Sequence, residues 1–235
     1  MKEKHHTQNS TGEVAGRHAR VLLAKDAKQL EDAYDDWAID YDDDLISISG
    51  GGENTSALAA CRVMVEHIDV KIRRDITLLD FGCGTGSAAV FLHDSGMNTH
   101  EQLDGCDLSA GMLDQAAKRK LYRNLIKADF TKSNCTANSY DVIHASAVFA
   151  PAQAPPSTFL EFWTLLRPNG HAVFTMRCEY YDSEEGASHR CMLENMILER
   201  RWEVVAKTKR DYLPNDGVMA YVFVLRKRSN GRGHN

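Results

Sequence analysis

Apolar positions follow two different rhythms along this chain, and the change of rhythm near residue 76 organises the reading. From Glu13 to Leu45 the residues Val21, Leu22, Leu30, Ala33 and Trp37 recur at helix-compatible spacing, the interval that places side chains on one helical face. Asp26 is a cap before a second helix in this stretch, because its carboxylate can accept from free first-turn N–H groups. The glycines Gly50 to Gly52 break the chain, and a further helix is predicted from about Thr55 to Ile68. Residues 1 to 12 are polar and aperiodic and read as a disordered tail.

Beyond residue 76, short apolar runs alternate with helical ones. Ile76 to Phe81, Gln102 to Cys106, Leu125 to Ala128, Tyr140 to Ala145 and His171 to Met176 read as strands. Helices are predicted over Ser87 to Ser95, from the cap Ser109 to about Leu121, and over Ser157 to Leu166. Such alternation implies a mostly parallel sheet covered on both faces, an α/β fold. The end differs: a helix His189 to Arg200 precedes strands near Trp202 to Thr208 and Met219 to Arg226. The intervening Pro214-Asn215-Asp216-Gly217 is a turn signal, so these two strands are expected to pair as an antiparallel hairpin, making seven strands in all. The basic residues 229 to 235 read as a frayed tail.

The first strand ends in Asp80-Phe81-Gly82-Cys83-Gly84-Thr85-Gly86. Glycines here allow a sharp strand-to-helix turn and close ligand approach to bare backbone, and the helix start beyond it offers free N–H groups to an anion. Gly84 to Ala89 also satisfies G-x-G-x-x-A, so the turn alone leaves a nicotinamide dinucleotide, and hence an oxidoreductase, open. Asp80, before the first glycine, could receive an ammonium group, whereas a pyrophosphate turn has no use for a negative charge there. Asp107 closes the second strand about twenty residues past the glycines, where a carboxylate accepts ribose hydroxyl protons. Asp129-Phe130 follows the third strand, putting a carboxylate and a ring where an adenine could lie.

The ordered series LLDFGCGTG, GCDLSAGML, KADF, YDVIHA and LRPNGHAVF resembles that of the Rossmann-like class I S-adenosyl-L-methionine (SAM) methyltransferases. With the upstream YDDWAIDYDDDL, the chain is similar to the methyltransferase-like proteins of the Williams–Beuren syndrome region, over Tyr34 to Arg177. The resemblance implies SAM as cofactor, with contacts from Gly82, Cys83, Gly84, Thr85, Gly86, Asp107, Leu108, Asp129 and Phe130. It further implies Met112 against the adenine and Ser146 near the methionyl end. It divides the chain into a helical lid over 13–54 and a methyltransferase domain over 55–228. Tyr34, Trp37 and Tyr41 recur at i, i+3 and i+7, as on one helix face. Their bland role is packing. Their functional role is a lid whose aromatic faces meet the sulfonium cation, an attraction of about 0.5–2 kcal/mol. The acidic residues among them read as a solvated face.

Composition narrows the partners. A net charge of -5 lacks the basic surplus of a nucleic-acid binder, so no nucleic acid is expected. The six cysteines form no C-x-x-C pair, which predicts neither a zinc site nor a disulfide framework. No apolar run reaches the roughly 18 residues of a membrane span, so no membrane partner is expected, and cytoplasmic or nuclear residence follows. After the fourth strand comes HASAVFAPA, not an Asn/Asp-Pro-Pro-Tyr-type motif, and no Pro-Cys occurs. Glu184-Glu185 follows the fifth strand, the wrong place for an arginine-methylating loop. A small-molecule acceptor is therefore expected, with a protein acceptor as the alternative; a further alternative is a non-catalytic binder of SAM or its demethylated product. His144, Arg177, Glu179, Tyr180 and Tyr181 fall near strand ends where open α/β sheets bind ligands, with His144 more at home as a satisfied core histidine than as a base.

Overall fold

The computed structural model describes residues 14–48, 55–68, 75–131, 133–151 and 153–229. The expected tail over 1–12, the Gly50 to Gly52 break and most of the basic carboxyl-terminal tail lie outside these residues. Three helices come first: α1 (14–22), α2 (Ala27–Trp37) and α3 (Tyr41–Ile48). Asp26 caps α2 as expected, accepting from the Gln29 N–H. The stretch is not one helix through its aromatic residues, however. Residues 38–40 form a turn between α2 and α3, and Tyr41 opens the second helix.

The helix α4 (Thr55–His67) leads into β1 (Leu78–Phe81), α5 (Ser87–Asp94), α6 (Thr99–Gln102), β2 (Leu103–Asp107), α7 (Ala110–Arg119), β3 (Asn124–Lys127) and β4 (Tyr140–Phe149). Next come α8 (Thr158–Leu165), β5 (Leu166–Arg177), α9 (Cys178–Asp182), α10 (Ala187–Leu198), β6 (Trp202–Leu213) and β7 (Val218–Lys227). The strand order is β3-β2-β1-β4-β5-β7-β6. The first five strands are parallel, while β7 runs antiparallel between β5 and β6. The expected hairpin is present, and its second strand is the one that joins the sheet.

Alternation along the strands sends side chains to two cores. In β1, Leu78 faces a cluster built with Ala60 and Met64 of α4 and Leu92 of α5. Leu79 and Phe81 face the other, built with Phe159 and Phe162 of α8 and Leu193 of α10. Burial on both faces explains why these strands read as unbroken apolar runs. A third, small cluster holds Val21, Leu30, Trp37 and Leu45 of the amino-terminal helices. That layer lies over the carboxyl ends of β1 and β2, where strand-to-helix turns expose backbone donors.

Candidate functional site

The glycine turn after β1 is shaped by contacts a side chain would destroy. Gly82 has φ +72°, and a Cβ there would lie 2.3 Å from Val148 Cγ1. Gly84 has φ +52° and nothing within 4 Å of where its Cβ would be. The first glycine is required by packing against β4. The second leaves open space above the backbone, which a ligand could fill.

Asp107, at the end of β2, turns towards this space. Its carboxylate accepts from the Gly84 N–H at 2.8 Å and the Ser109 N–H at 2.9 Å. A carboxylate has about four acceptor sites, so two remain. Burial pushes its pKa up to about 6, although the Ser109 and Gly84 N–H groups pull it down. Ser109, not Asp107, caps α7, accepting from the Met112 N–H.

A cavity lies between this turn and the amino-terminal helices, a concave place of the kind in which small ligands sit. Gly82, Gly84, Asp107 and Leu108 form its polar floor, and Met112, Phe130 and Ser146 stand around them. Tyr34 and Tyr41 close it from α2 and α3. Burial, with the nearby Asp107 carboxylate, raises the Tyr34 hydroxyl pKa, and burial likewise raises that of Tyr41. Both phenols therefore stay neutral. The Ser146 hydroxyl is buried with no hydrogen-bond partner among the described residues, an orphan that a ligand can satisfy.

β4 bends here. Its register with β5 shifts between Ala145 and Phe149, and Ala147 sits at φ +62°, a left-handed conformation that costs an alanine about 1–2 kcal/mol. The bulge turns Ser146 and Ala147 into the cavity wall, the re-aiming such irregularities provide beside ligand sites. The Ala147 N–H donates to the Thr175 hydroxyl on β5 at 3.0 Å, which fixes the distortion.

The remaining expected contacts lie elsewhere. Cys83 and Thr85 line an extension of the cavity beside α5. Asp80 lines it too, but both its oxygens are engaged. The Tyr122 hydroxyl donates to one at 2.6 Å, and His144 Nδ1 lies 2.8 Å from the other. His144 Nε2 is in turn 3.2 Å from Cys61 Sγ on α4. Burial works against an imidazolium at His144, but Cys61 and Asp80 outweigh it and raise its pKa. His144 is thus a satisfied core histidine. Gly86 begins α5 and lines no cavity wall described here. Trp37 is buried, donates to Asp44 at 2.7 Å and packs edge-on at 4.8 Å against Tyr41. Asp129 is exposed and accepts from the Thr131 N–H and hydroxyl, each at 2.7 Å. A short polar turn holds that carboxylate away from the cavity, leaving Phe130 as the member of the pair that reaches it.

The acidic stretch is a solvated face only in part: Asp32, Asp36, Asp40 and Asp43 are exposed, whereas Asp35, Asp42 and Asp44 make contacts within the fold. Asp35 accepts from the Ser109 hydroxyl at 2.5 Å and the Gly111 N–H at 2.9 Å, at the start of α7. Burial opposes ionisation there, but those two donors outweigh it and lower its pKa. Asp42 accepts from the Thr85 hydroxyl at 2.5 Å and pairs with Arg119. Gln153, in the loop after β4, donates to the Tyr34 hydroxyl at 3.1 Å and lines the cavity with Leu30.

A second cavity shares Tyr34, Tyr41, Ala147 and Gln153 with the first. It extends to Arg177 at the end of β5 and to Tyr212 and His18. Tyr181, also expected near a strand end, points away: its hydroxyl meets Glu194 at 3.3 Å and Lys207 sits over its ring.

Residues 79–174 match the family model described as a methyltransferase domain. The chain is 26% identical over 204 residues to human methyltransferase-like protein 27, covering 83% of this chain and 78% of that protein. It is 29% identical over 132 residues to phosphoethanolamine N-methyltransferase 3 of Arabidopsis thaliana, covering 54% of this chain. It spans only 26% of that enzyme's length. Among solved structures, magnesium protoporphyrin IX methyltransferase from Synechocystis PCC 6803 with bound SAM superposes with a TM-score of 0.60. It is 14% identical, over 88% of this chain and 99% of that one.

Proposed function

We propose that this chain, a member of the class I SAM-dependent methyltransferase superfamily, transfers a methyl group from SAM to a small-molecule acceptor. The observation that carries this reading is the cavity between the glycine turn and the amino-terminal helices, with the spare acceptor sites of Asp107 and the orphan Ser146 hydroxyl turned to it. These groups suit the cofactor's ribose diol and its methionyl end. Gly84 leaves its backbone open to them, and Met112, Leu108 and Phe130 offer apolar walls for the adenine.

The cofactor supplies a methyl group on a sulfonium, already joined to a good leaving group. The protein's part is then positioning and exclusion of water. Residues 13–54 act as the lid. Asp35 and Asp42 latch it to α7 and to the glycine turn, and Tyr34 and Tyr41 present neutral aromatic surface to the cationic centre. The acceptor enters the second cavity, which meets the first along Tyr34, Tyr41 and Ala147. A recess walled by the amino-terminal helices, β4, β5 and the end of β6 suits a small molecule better than a protein side chain presented on a surface.

Calorimetric titration with SAM, S-adenosylhomocysteine (SAH) and NAD tests the cofactor, and incubation of fractionated extract with radiolabelled SAM tests transfer. Saturable binding of SAM and SAH, none of NAD, and a labelled product of low mass are expected. NAD binding without SAM binding, or label in protein alone, overturns the proposal.

A further inference from the structure

The wall of the second cavity is aromatic and apolar over most of its surface, from Val21, Trp37, Phe149 and Leu213 among others. Among the described residues it carries one full positive charge, Arg177, and no carboxylate. Arg177 stands over an aromatic ring of the same wall: its guanidinium lies 5.6 Å from the Tyr212 ring centroid. The nearest carboxylate across an ion pair is Glu179, at 3.9 Å and with its side chain 67% exposed, whereas the Arg177 side chain is 27% exposed. A contact that long and that wet neutralises little of the charge. His18, the other titratable base on the wall, is pushed down in pKa by burial and by Arg177 itself, so it adds no second charge at neutral pH.

A guanidinium held against an aromatic ring in a mostly apolar cavity has donors to spare and little water to satisfy them. A neutral ligand filling this space would displace that water and leave the charge unmatched. A carboxylate or phosphate would accept from it in bidentate, charge-assisted fashion. A neutral ligand is disfavoured because it would cover this partly buried guanidinium and leave it unpaired. Resting on the methyl-transfer reading above, we infer that the acceptor carries a carboxylate or phosphate on an aromatic or aliphatic body, and that Arg177 holds the anionic group.

The test uses the full chain saturated with SAH, titrated calorimetrically with matched probe pairs: cinnamate and cinnamamide, octanoate and octanamide, phenyl phosphate and phenol. In at least one pair the anion should bind tenfold or more tightly than its neutral partner. The carboxylate and phosphate arms separate the two kinds of anion. Arg177→Met should abolish the preference, Arg177→Lys should retain part of it, and both should keep SAH affinity within about twofold of the parent. Equal binding of acids and neutral partners, or no binding of any anion to the SAH-loaded protein, overturns the inference. So does a tenfold loss of SAH affinity in Arg177→Met, which would assign the guanidinium to the cofactor carboxylate. Failure of SAH to bind the parent chain is a separate result, and it overturns the reading on which this inference rests.

Discussion

Asp107 carries most of the recognition assigned to a single side chain, and its environment makes that assignment measurable. In the proposed site a ribose diol would donate to the ionised carboxylate, so binding would require the charged form that burial disfavours. With the pKa raised to about 6, SAH affinity should rise with pH up to about 6, level off near 7, and fall by up to tenfold per unit below. The same shift sets the sign of the effect on folding. A carboxyl that holds its proton more tightly folded than unfolded favours folding at pH below about 4. That contribution is lost as pH rises through 6, on the order of 3 kcal/mol at neutral pH. Asp107→Ala should weaken SAH at least tenfold at pH 7.5, from loss of charge-assisted bonds worth about 1.5–3 kcal/mol each, and should flatten the pH profile. An unaltered profile in that variant would place the titrating group elsewhere. Ala147 offers a check on the bulge. Ala147→Gly removes a left-handed alanine and should raise the midpoint of thermal unfolding, by relief on the order of 1 kcal/mol. A lower midpoint would show that the methyl's packing in the wall outweighs the strain.

The three amino-terminal helices hold to the domain through polar latches more than through a shared core. Their apolar cluster is small and largely their own, and Asp35 and Asp42 cross to α7 and the glycine turn. Asp42→Ala, which frees Thr85 and Arg119 together, should weaken SAH roughly tenfold and speed hydrogen exchange in α2 and α3. Global unfolding should hardly move, because such segments open independently of the core. A double-mutant cycle with Arg119→Met should give a coupling of at least about 0.5 kcal/mol, and additive losses would dissolve the latch. These contacts also mark where sequence reading stops. Asp26, Ser109, the glycine turn, Asp107 and every strand were legible, because caps, turns and buried strands are written in neighbouring residues. Asp42 to Thr85 and Gln153 to Tyr34 join positions 43 and 119 apart. Only the folded arrangement of the sheet end reveals them. For the same reason Asp35 and Asp42 read as part of a solvated face, Asp129 read as a cavity residue, and the break between α2 and α3 passed unseen.

The sheet and its cover differ in how they are held, and ligand binding should expose the difference. Two cores of buried side chains clamp β1, β4, β5 and β7 from both faces. In the first, Phe174 meets Phe149, Phe159 and Phe223 at centroid distances of 5.2, 5.4 and 5.1 Å. Phe162→Ala should therefore cost about 3–5 kcal/mol, measured as a lower denaturation midpoint with SAH affinity retained by whatever remains folded. The apolar cluster of the cover is smaller, and on the proposed lid reading the cavities should lie between two units of unequal stability. A ligand seated there binds only the closed form, so it stabilises by mass action, about 2.7 kcal/mol at one hundred times its Kd. For a chain of 235 residues that corresponds to an upward thermal shift of about 5–10 °C, and NAD at the same concentration should produce none. Hydrogen-exchange protection should concentrate in α2, α3 and the carboxyl ends of β1, β2 and β4, while the end of the β6–β7 hairpin remote from Tyr212 and Leu213, where Trp202 to Val204 pair with Leu225 to Lys227, keeps its unliganded rates. Protection spread evenly over the sheet would mean that the ligand stabilises the whole fold at once and that the cover is no separate unit. Protection of the hairpin alone would move the binding site to the opposite edge of the sheet.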